Sequence, residues 1–425
     1  MGLGLGISVD WASLVPYYAK VASAFAARVK ADGGTVENTA CLKKDLKALN
    51  PIEPTGYLLT DYPGAAAAYS LRLINKTYAG SAIRVRRATD NAEQNIGFAS
   101  KQLDTETLES FVNSGEAFTD PDITSSSNWT KGANTTYNAA TEALDLLNEN
   151  GLTARQAVSV SGHTYTITIV LDSVTSGGIK IYAGGTQSAV ISTAGTHTLE
   201  ITASNSNNIF GINPNGAATC SISRFSAIDT TADAFVTTWY DQSGNSNNAT
   251  QTSAAAQPQI VSGGSTILVN SKPTLEFNGT SYYLNASTIN IAQPTNYFIT
   301  YKHNNFSSDL YNDLSDGNVS RQLNDNTSGG RVRVFSGISF HPTLLGSNNQ
   351  ELRYALFNGA NSALAINGSA TYTGNAGTGA IQDMNIGKSG FYLDGNIQEF
   401  VIYPTDESSN RTGIETNIND FYSIY

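Results

Sequence analysis

Phe235-Val-Thr-Thr-Trp-Tyr-Asp-Gln-Ser-Gly-Asn245-Ser-Asn-Asn-Ala249 reads as an alternating strand that runs into an amide-rich turn. Val236, Thr238 and Tyr240 fall on one face of such a strand, and Thr237, Trp239 and Asp241 on the other. The Asp and Asn side chains that follow can bond local backbone in a glycine-containing turn. A segment of the same kind stands well upstream, Ala68-Tyr-Ser-Leu-Arg-Leu73 followed by Ala82-Ile-Arg-Val-Arg-Arg-Ala-Thr-Asp90-Asn-Ala-Glu-Gln-Asn-Ile-Gly-Phe98. Tyr69, Leu71 and Leu73 alternate there, as do Ile83 and Val85, the period of two that a half-buried strand requires.

Between these stretches lies a block at 117–230 with its own rhythm. Gln156–Val160, Tyr165–Val170, Gly178–Tyr182, His197–Thr202 and Phe210–Ile212 are short strand patterns at regular intervals, behind a leading Trp129, which is a jelly-roll pattern. After Asn248 come Gln257–Val261, Lys272–Leu284 around Asn278-Gly279, and a run of strands that closes with Phe391–Tyr403. The first fifty residues differ: Val15, Tyr18, Val21, Ala22, Phe25 and Val29 recur at helical spacing, so a helix over about 11–30 is expected, and Val36 to Leu49 support a second before Pro51. Residues 52–62 read as a linker or extended arm, and 103–113 as a short helix or turn that carries Leu108, Phe111 and Val112 inward.

Composition agrees with a mostly-β chain. Charged residues make up 14% of the 425, below the roughly 25% of an average soluble domain, and Asn, Ser, Thr, Gly and Ala take their place. The net charge of −11 removes any general attraction to phosphate backbones or anionic lipid, so neither nucleic acid nor membrane is expected as a partner. Arg84, Arg86 and Arg87 are the one concentration of positive charge, with internal carboxylates such as Asp90 or Asp241 as their expected partners. Cys41 and Cys220 are too few for a disulfide framework and read as buried free thiols. Met1–Asp10 lacks the basic and apolar regions of an export signal, and no run approaches membrane-spanning length.

The segments 68–98 and 235–249 together resemble the front of the catalytic domain of α-L-arabinofuranosidase B, a concanavalin-like β-sandwich that recurs in virion proteins of tailed bacteriophages. Residues 270–425 resemble the concanavalin A-like/laminin-G (LamG) family, and the 117–230 block looks like a galactose-binding-like carbohydrate-binding module. The resemblance implies a concanavalin-like jelly-roll sandwich split into 63–116 and 231–425, an inserted second β-sandwich at 117–230, and an N-terminal helical attachment or oligomerisation segment with linker over 1–62. It also implies a non-enzymatic virion structural protein, a head or tail decoration or fibre made in the host cytoplasm. Its expected partners are other capsid or tail proteins, further copies of itself, and host-surface or environmental glycans. Two alternatives stand beside it: a glycoside hydrolase of arabinofuranosidase type, and a purely architectural protein without ligand.

Candidate residues follow from chemistry. Trp129, Tyr137, Tyr282 and Tyr283 offer the apolar area with a polar edge that sugar C–H faces take, against the competing reading of core packing. Asp241, Gln242, Asn245 and Asn248 could bond sugar hydroxyls or supply oxygens to Ca²⁺, the one cofactor the sequence leaves open, against the competing reading of a turn that locks the sandwich. A retaining glycosidase needs two carboxylates roughly 5 Å apart. The adjacent cysteine pair and nucleophile segment of arabinofuranosidase B are absent, so no catalytic residue carries over. Asp394 and Glu399 are the first pair to test, against a structural turn and closing strand. His163, His197, His303 and His341 show no metal-ligand spacing.

Overall fold

The computed structural model describes residues 56–304, 312–315, 322–326, 331–343, 346–388 and 391–425. The expected helices over 11–30 and before Pro51, and Cys41, lie outside the described residues. The fold is mostly β, and all the strand pairings between described residues are antiparallel.

One 15-stranded sheet dominates. Its main strands are β1 (Ala67–Ser70), β2 (Ile83–Arg87), β3 (Glu93–Ile96), β4 (Ala234–Trp239), β5 (Gln259–Ser262), β6 (Leu275–Asn278), β7 (Leu284–Ile291), β8 (Thr295–His303), β9 (Gln350–Phe357), β10 (Ser362–Ile366), β11 (Ile381–Ile386) and β12 (Asp394–Tyr403). The path runs β10-β9-β8-β12-β6-β5-β4 and continues through a short strand at Ala249–Thr250 to β7 and β11; β1 adds to β12, and β2 and β3 add to β4. The two stretches far apart in sequence therefore meet: Val85 of β2 stands opposite Val236 of β4, and Tyr69 of β1 opposite Phe400 of β12. The sheet folds over a core that includes Tyr69, Val85, Val236, Trp239, Phe277, Tyr297, Ile397 and Phe400.

The strict alternation expected of 235–241 is broken. Val236 and Trp239 both enter this core, because the pairing of β2 with β4 shifts register between Val236 and Thr238. A bulge of one extra residue turns the side chains after it to the other face. Thr237, at the bulge, is buried on its own and donates its hydroxyl to the Arg84 carbonyl.

Strands β8, β9 and β12 are buried on both faces at one end. Their outward residues Phe298, Tyr354, Val401 and Tyr403 pack under helix α2 (Arg411–Tyr422) with Ile414, Ile418 and Phe421. Fully burying each such apolar side chain stabilises by roughly 1.5–3 kcal/mol, which accounts for the near-continuous apolar runs in these strands. Residues 52–62 are not wholly an extended arm: Leu58–Asp61 form a helical turn whose Leu58 is fully buried against the same layer. Helix α1 (Thr105–Val112) is capped by Asp104, which accepts from the Thr107 N–H, and buries Leu108 and Val112, while Phe111 is only half-buried and lies under the Arg87 guanidinium.

The strands between Thr135 and Asp229 build two sheets of their own. Thr164–Ser176 pairs with Gly195–Thr202 and Ala218–Asp229, and Ala143–Glu149 and Thr135–Asn138 extend that sheet; Ile179–Ala183, Ile209–Pro214 and Thr153–Ala157 form the facing one. Between them sit Phe118, Trp129, Tyr165, Phe210 and Phe225. Among the described residues no helix is long and apolar enough to cross a membrane.

Candidate functional site

Helix α2 covers only one end of the outer face of the large sheet. Beyond it the outward residues of successive strands stand in register as a polar row: Lys302 of β8, Asn396 of β12, Glu276 of β6, Gln259 of β5, Phe235 of β4, Arg86 of β2 and Glu93 of β3. Their neighbours along the strands, Leu275, Phe277 and Ile397, point inward to the core, so alternation forces the polar set outward. Tyr282 closes the row from above with its ring edge-on to Phe235 at 6.0 Å, and the Arg86 guanidinium lies 5.1 Å over the Phe235 ring. Arg86 is held by Gln257 Oε1 at 2.8 Å and Asn91 Oδ1 at 3.0 Å. Desolvation lowers its pKa, an effect opposed by the charges of Glu93 and Tyr282.

One carboxylate of the row, Glu276, meets the neighbouring Asp394 on one amide. Asn304 Nδ2 lies 3.5 Å from Glu276 Oε1 and 3.3 Å from Asp394 Oδ1. Those oxygens are therefore at most about 6.8 Å apart, the sum of the two distances. Both carboxylates are only part-buried, and Asn304 is exposed. The Asn278-Gly279 turn keeps this corner open. Asn278 Oδ1 accepts from the N–H groups of Thr280, Ser281 and Tyr282, and Gly279 has φ +71° with its α-carbon against Asp394. A Cβ at 279 would come within 3.0 Å of the Asp394 Cβ, so glycine is needed for both conformation and space.

Asn396, opposite Glu276, is only 4% exposed, yet its side-chain amide has no hydrogen-bond partner among the described residues. Lys302, opposite Asn396, is half-buried and makes neither hydrogen bond nor ion pair with a described residue. The Asn396 amide atoms are nonetheless not cut off from solvent, so water completes their bonding. This face thus offers two carboxylates, a solvent-reaching amide, a lysine and a tyrosine ring, the groups that recognise hydroxyl-rich ligands.

The sequence candidates divide. Tyr282 borders the row; Tyr283 packs near it against Tyr392, with Lys388 Nζ 4.3 Å over its ring. Glu399, the expected mate of Asp394, is fully buried in an ion pair with Arg72 and cannot reach a ligand; Glu276 takes its place. The signal was available, because Glu276 alternates outward between Leu275 and Phe277 two residues before the Asn-Gly turn.

Asp241, Gln242, Asn245 and Asn248 lock the sandwich rather than face outward. Asp241 accepts from the N–H groups of Ala68, Ser243 and Asn247 and from the Ser243 hydroxyl. Gln242 is fully buried, accepting from the Ile74 N–H and donating to the Ser70 and Arg72 carbonyls. Asn245 donates to the Ala65 and Ala66 carbonyls, and Asn248 accepts from the Asp241 N–H. Asn245 and Asn247 border an open groove of about 390 Å³ with Thr288, Asn290 and Gln293. Among the described residues no group of three or more His, Cys, Asp or Glu side chains could hold a metal ion, and the Asp241 carboxylate already accepts four hydrogen bonds, from β1 and from its own loop.

Trp129 is 3% exposed, stacked on Phe225 and packed against Phe118, so its ring is core. Tyr137 is half-buried and donates to the Thr124 carbonyl. The arginines pair internally as expected in kind but not wholly in partner: Arg87 with Asp90 at 2.7 Å and Arg84 with Glu93 at 2.6 Å, neither with Asp241.

No protein-family model matches the chain, and no curated protein matches it. Among solved structures the chain is similar to a GH54 α-L-arabinofuranosidase, at TM-score 0.45 and 11% identity over 85% of this chain. It spans 64% of that enzyme's length, less than two thirds. It is also similar to the sialidase of Trypanosoma rangeli, at TM-score 0.30 and 13% identity over 43% of this chain and 32% of that one. A third, described as a carbohydrate binding protein of Bacteroides ovatus, aligns at TM-score 0.24 and 10% identity over 67% of this chain and 80% of that one. None of the three is a virion protein, and the expectation of a non-enzymatic phage virion component is not borne out.

Proposed function

We propose that this chain is a carbohydrate-active β-sandwich of glycoside hydrolase type, with its glycan laid across the polar row and Glu276 and Asp394 as the carboxylate pair. The observation that carries the reading is the convergence of both carboxylates on Asn304 in an open corner of the sheet. A separation capped at about 6.8 Å covers the 5–5.5 Å of retaining enzymes and the near end of the 6.5–9.5 Å range of inverting ones. One carboxyl group protonates the departing glycosidic oxygen, and the other attacks the anomeric carbon or activates the water that does. Asn304 keeps the two side chains convergent, and the Tyr282 ring offers its apolar face to a sugar.

The test is a glycan-array screen of the full-length protein followed by product analysis on each retained glycan and on aryl glycosides, α-L-arabinofuranosides included. Hydrolysis by the native chain, reduced by about 10²–10⁴-fold in Glu276→Gln and in Asp394→Asn while glycan retention persists, is the expected result. Retention without cleavage would leave a binding protein and remove the hydrolase assignment.

A further inference from the structure

The chain carries five Asn-Gly steps, at Asn150, Asn215, Asn278, Asn358 and Asn367, and the fold holds one of them differently from the rest. We infer that Asn215-Gly216 is a site of spontaneous covalent modification, where the asparagine closes to a succinimide and reopens as an isoaspartyl or aspartyl residue. The inference is independent of the glycan reading above.

Hydroxide takes the proton of the Gly216 N–H, and the nitrogen attacks the side-chain carbonyl carbon of Asn215. A new N–Cγ bond forms, the Cγ–Nδ2 bond breaks, and the leaving nitrogen takes a proton from water to depart as ammonia. Water then opens the ring at either carbonyl, so water and hydroxide are the only co-reactants. Glycine at the second position leaves the nitrogen accessible, because it has no Cβ. The rate then depends on whether the N–H is free and whether the carboxamide can swing onto it.

Four of the steps are held. The Gly279 N–H donates to the Leu393 carbonyl at 2.8 Å, while Asn278 Oδ1 accepts from three backbone N–H groups. The Gly359 N–H donates to Gln293 Oε1 at 2.7 Å, and the Gly151 N–H to Glu149 Oε1 at 3.1 Å. Asn367 Oδ1 accepts from the Leu352 N–H of β9 at 2.8 Å. A donated N–H is harder to deprotonate, and a bonded carboxamide must first give up its partner. At the fifth step neither the Gly216 N–H nor the Asn215 carboxamide bonds to a described residue, and both residues are exposed. Gly216 also stands clear, with nothing within 4 Å of where a Cβ would lie, whereas each of the other four glycines has a side chain within that distance. The turn joins Ile209–Pro214 of one small sheet to Ala218–Asp229 of the other, and the Asn215 N–H anchors it to the Gly178 carbonyl at 2.8 Å. Conversion therefore places a new carboxylate, and in the isoaspartyl form an extra main-chain methylene, where the two sheets are tied.

The experiment holds the full-length protein at mildly alkaline pH, well below its unfolding temperature, and follows each Asn-Gly peptide by mass spectrometry of digests. Enzymatic methylation of isoaspartyl groups gives a second readout. The expected result is conversion at Asn215 about tenfold or more faster than at any of the other four steps. In urea the five rates should draw together to within about threefold, since the dipeptide is the same and only folding distinguishes them. Asn215→Gln should abolish conversion in its own peptide and leave the other four rates unchanged; conversion that persists there would move the reaction to Asn213 and overturn the inference. Equal native rates at the five steps, a faster step elsewhere, or an Asn215 peptide that stays intact while the urea-treated chain converts would overturn it as well.

Discussion

Arg72 and Glu399 join the two halves of the large sandwich through a two-point ion pair, Nε to Oε2 at 2.7 Å and Nη2 to Oε1 at 2.9 Å. They are 2% and 0% exposed, and the Ser70 and Tyr422 hydroxyls also donate to the same carboxylate. Removing one partner strands a buried charge. Arg72→Met or Glu399→Gln should therefore lower unfolding free energy by about 3–5 kcal/mol, and the double substitution Arg72→Met/Glu399→Leu should recover much of it. Urea denaturation followed by fluorescence measures all four proteins; single variants within about 1 kcal/mol of the native chain would show that the pair is not isolated from water.

The same pair shows how far the sequence could be read. Arg72 lies in the stretch that identified the first half of the sandwich, and Glu399 in the closing strand, so their elements and sheet partners were legible from alternation and turns. The role of Glu399 was not, because one side-chain step along a strand decides between surface and core, and the bulge where β8 pairs with β12, at Thr300/Tyr301 opposite Ile397–Glu399, resets that step. The bulge after Val236 misled the face assignment of Thr237 and Trp239 in the same way. Strands Ala143–Glu149 and Ala218–Asp229 carried no clear signal: Ala-Leu-Asp-Leu-Leu-Asn-Glu favours helix locally and becomes strand through its pairing with Ala218–Ile222. The candidate site was missed as a unit because its row draws one residue from each of seven strands, a relation set by register alone.

Asp241 fixes the amide-rich loop by accepting from three backbone N–H groups and one hydroxyl. Asp241→Ala leaves those buried donors without an acceptor, at about 1–3 kcal/mol for each one stranded. We expect a loss of about 3 kcal/mol or more in chemical denaturation, with amide exchange accelerated first at Ala68 and Asn247. Unchanged exchange at Ala68 would show that the loop is held by other contacts.

His163 Nδ1 lies 2.8 Å from Asp229 Oδ2, where the Thr89 hydroxyl also reaches the carboxylate from the large sandwich. The hydrogen bond to Asp229, outweighing desolvation, raises the His163 pKa above its ordinary 6.5. A pKa raised on folding gives stability that is fully present below the unfolded value and is lost as pH rises through the folded one. Thermal stability of the native chain relative to His163→Gln should therefore be greatest below about pH 6.5 and converge as pH climbs past the raised value. A difference that is flat from pH 5 to 9 would rule out His163 as the titrating group.

Cys220 sits 5% exposed in the smaller core, and burial followed by the nearby Asp145 charge pushes its thiol up to about 11. The thiolate is the reactive form, so almost none is present near neutrality. Iodoacetamide at pH 7.5 should leave the Cys220 peptide unmodified in the native protein and label it fully in urea, as read by mass spectrometry of digests. Rapid native labelling at that peptide would mean the block opens easily.

Tyr282 is the aromatic most directly placed to meet a bound sugar. Its backbone N–H is held by Asn278, its ring is fixed edge-on to Phe235, and burial, followed by the Asp233 and Glu276 charges, raises the pKa of its hydroxyl. The ring is only part-buried, so its removal takes away a platform with limited loss to the core. Tyr282→Ala should weaken binding of an array-retained glycan by about fivefold to tenfold, in line with the 0.5–1.5 kcal/mol carried by an aromatic contact beyond its area. Tyr282→Phe, which keeps the ring, should bind within about twofold of the native chain. Titration calorimetry of the three proteins separates the possibilities: equal losses in both variants would assign the contact to the hydroxyl, and no loss in either would place the glycan away from the polar row.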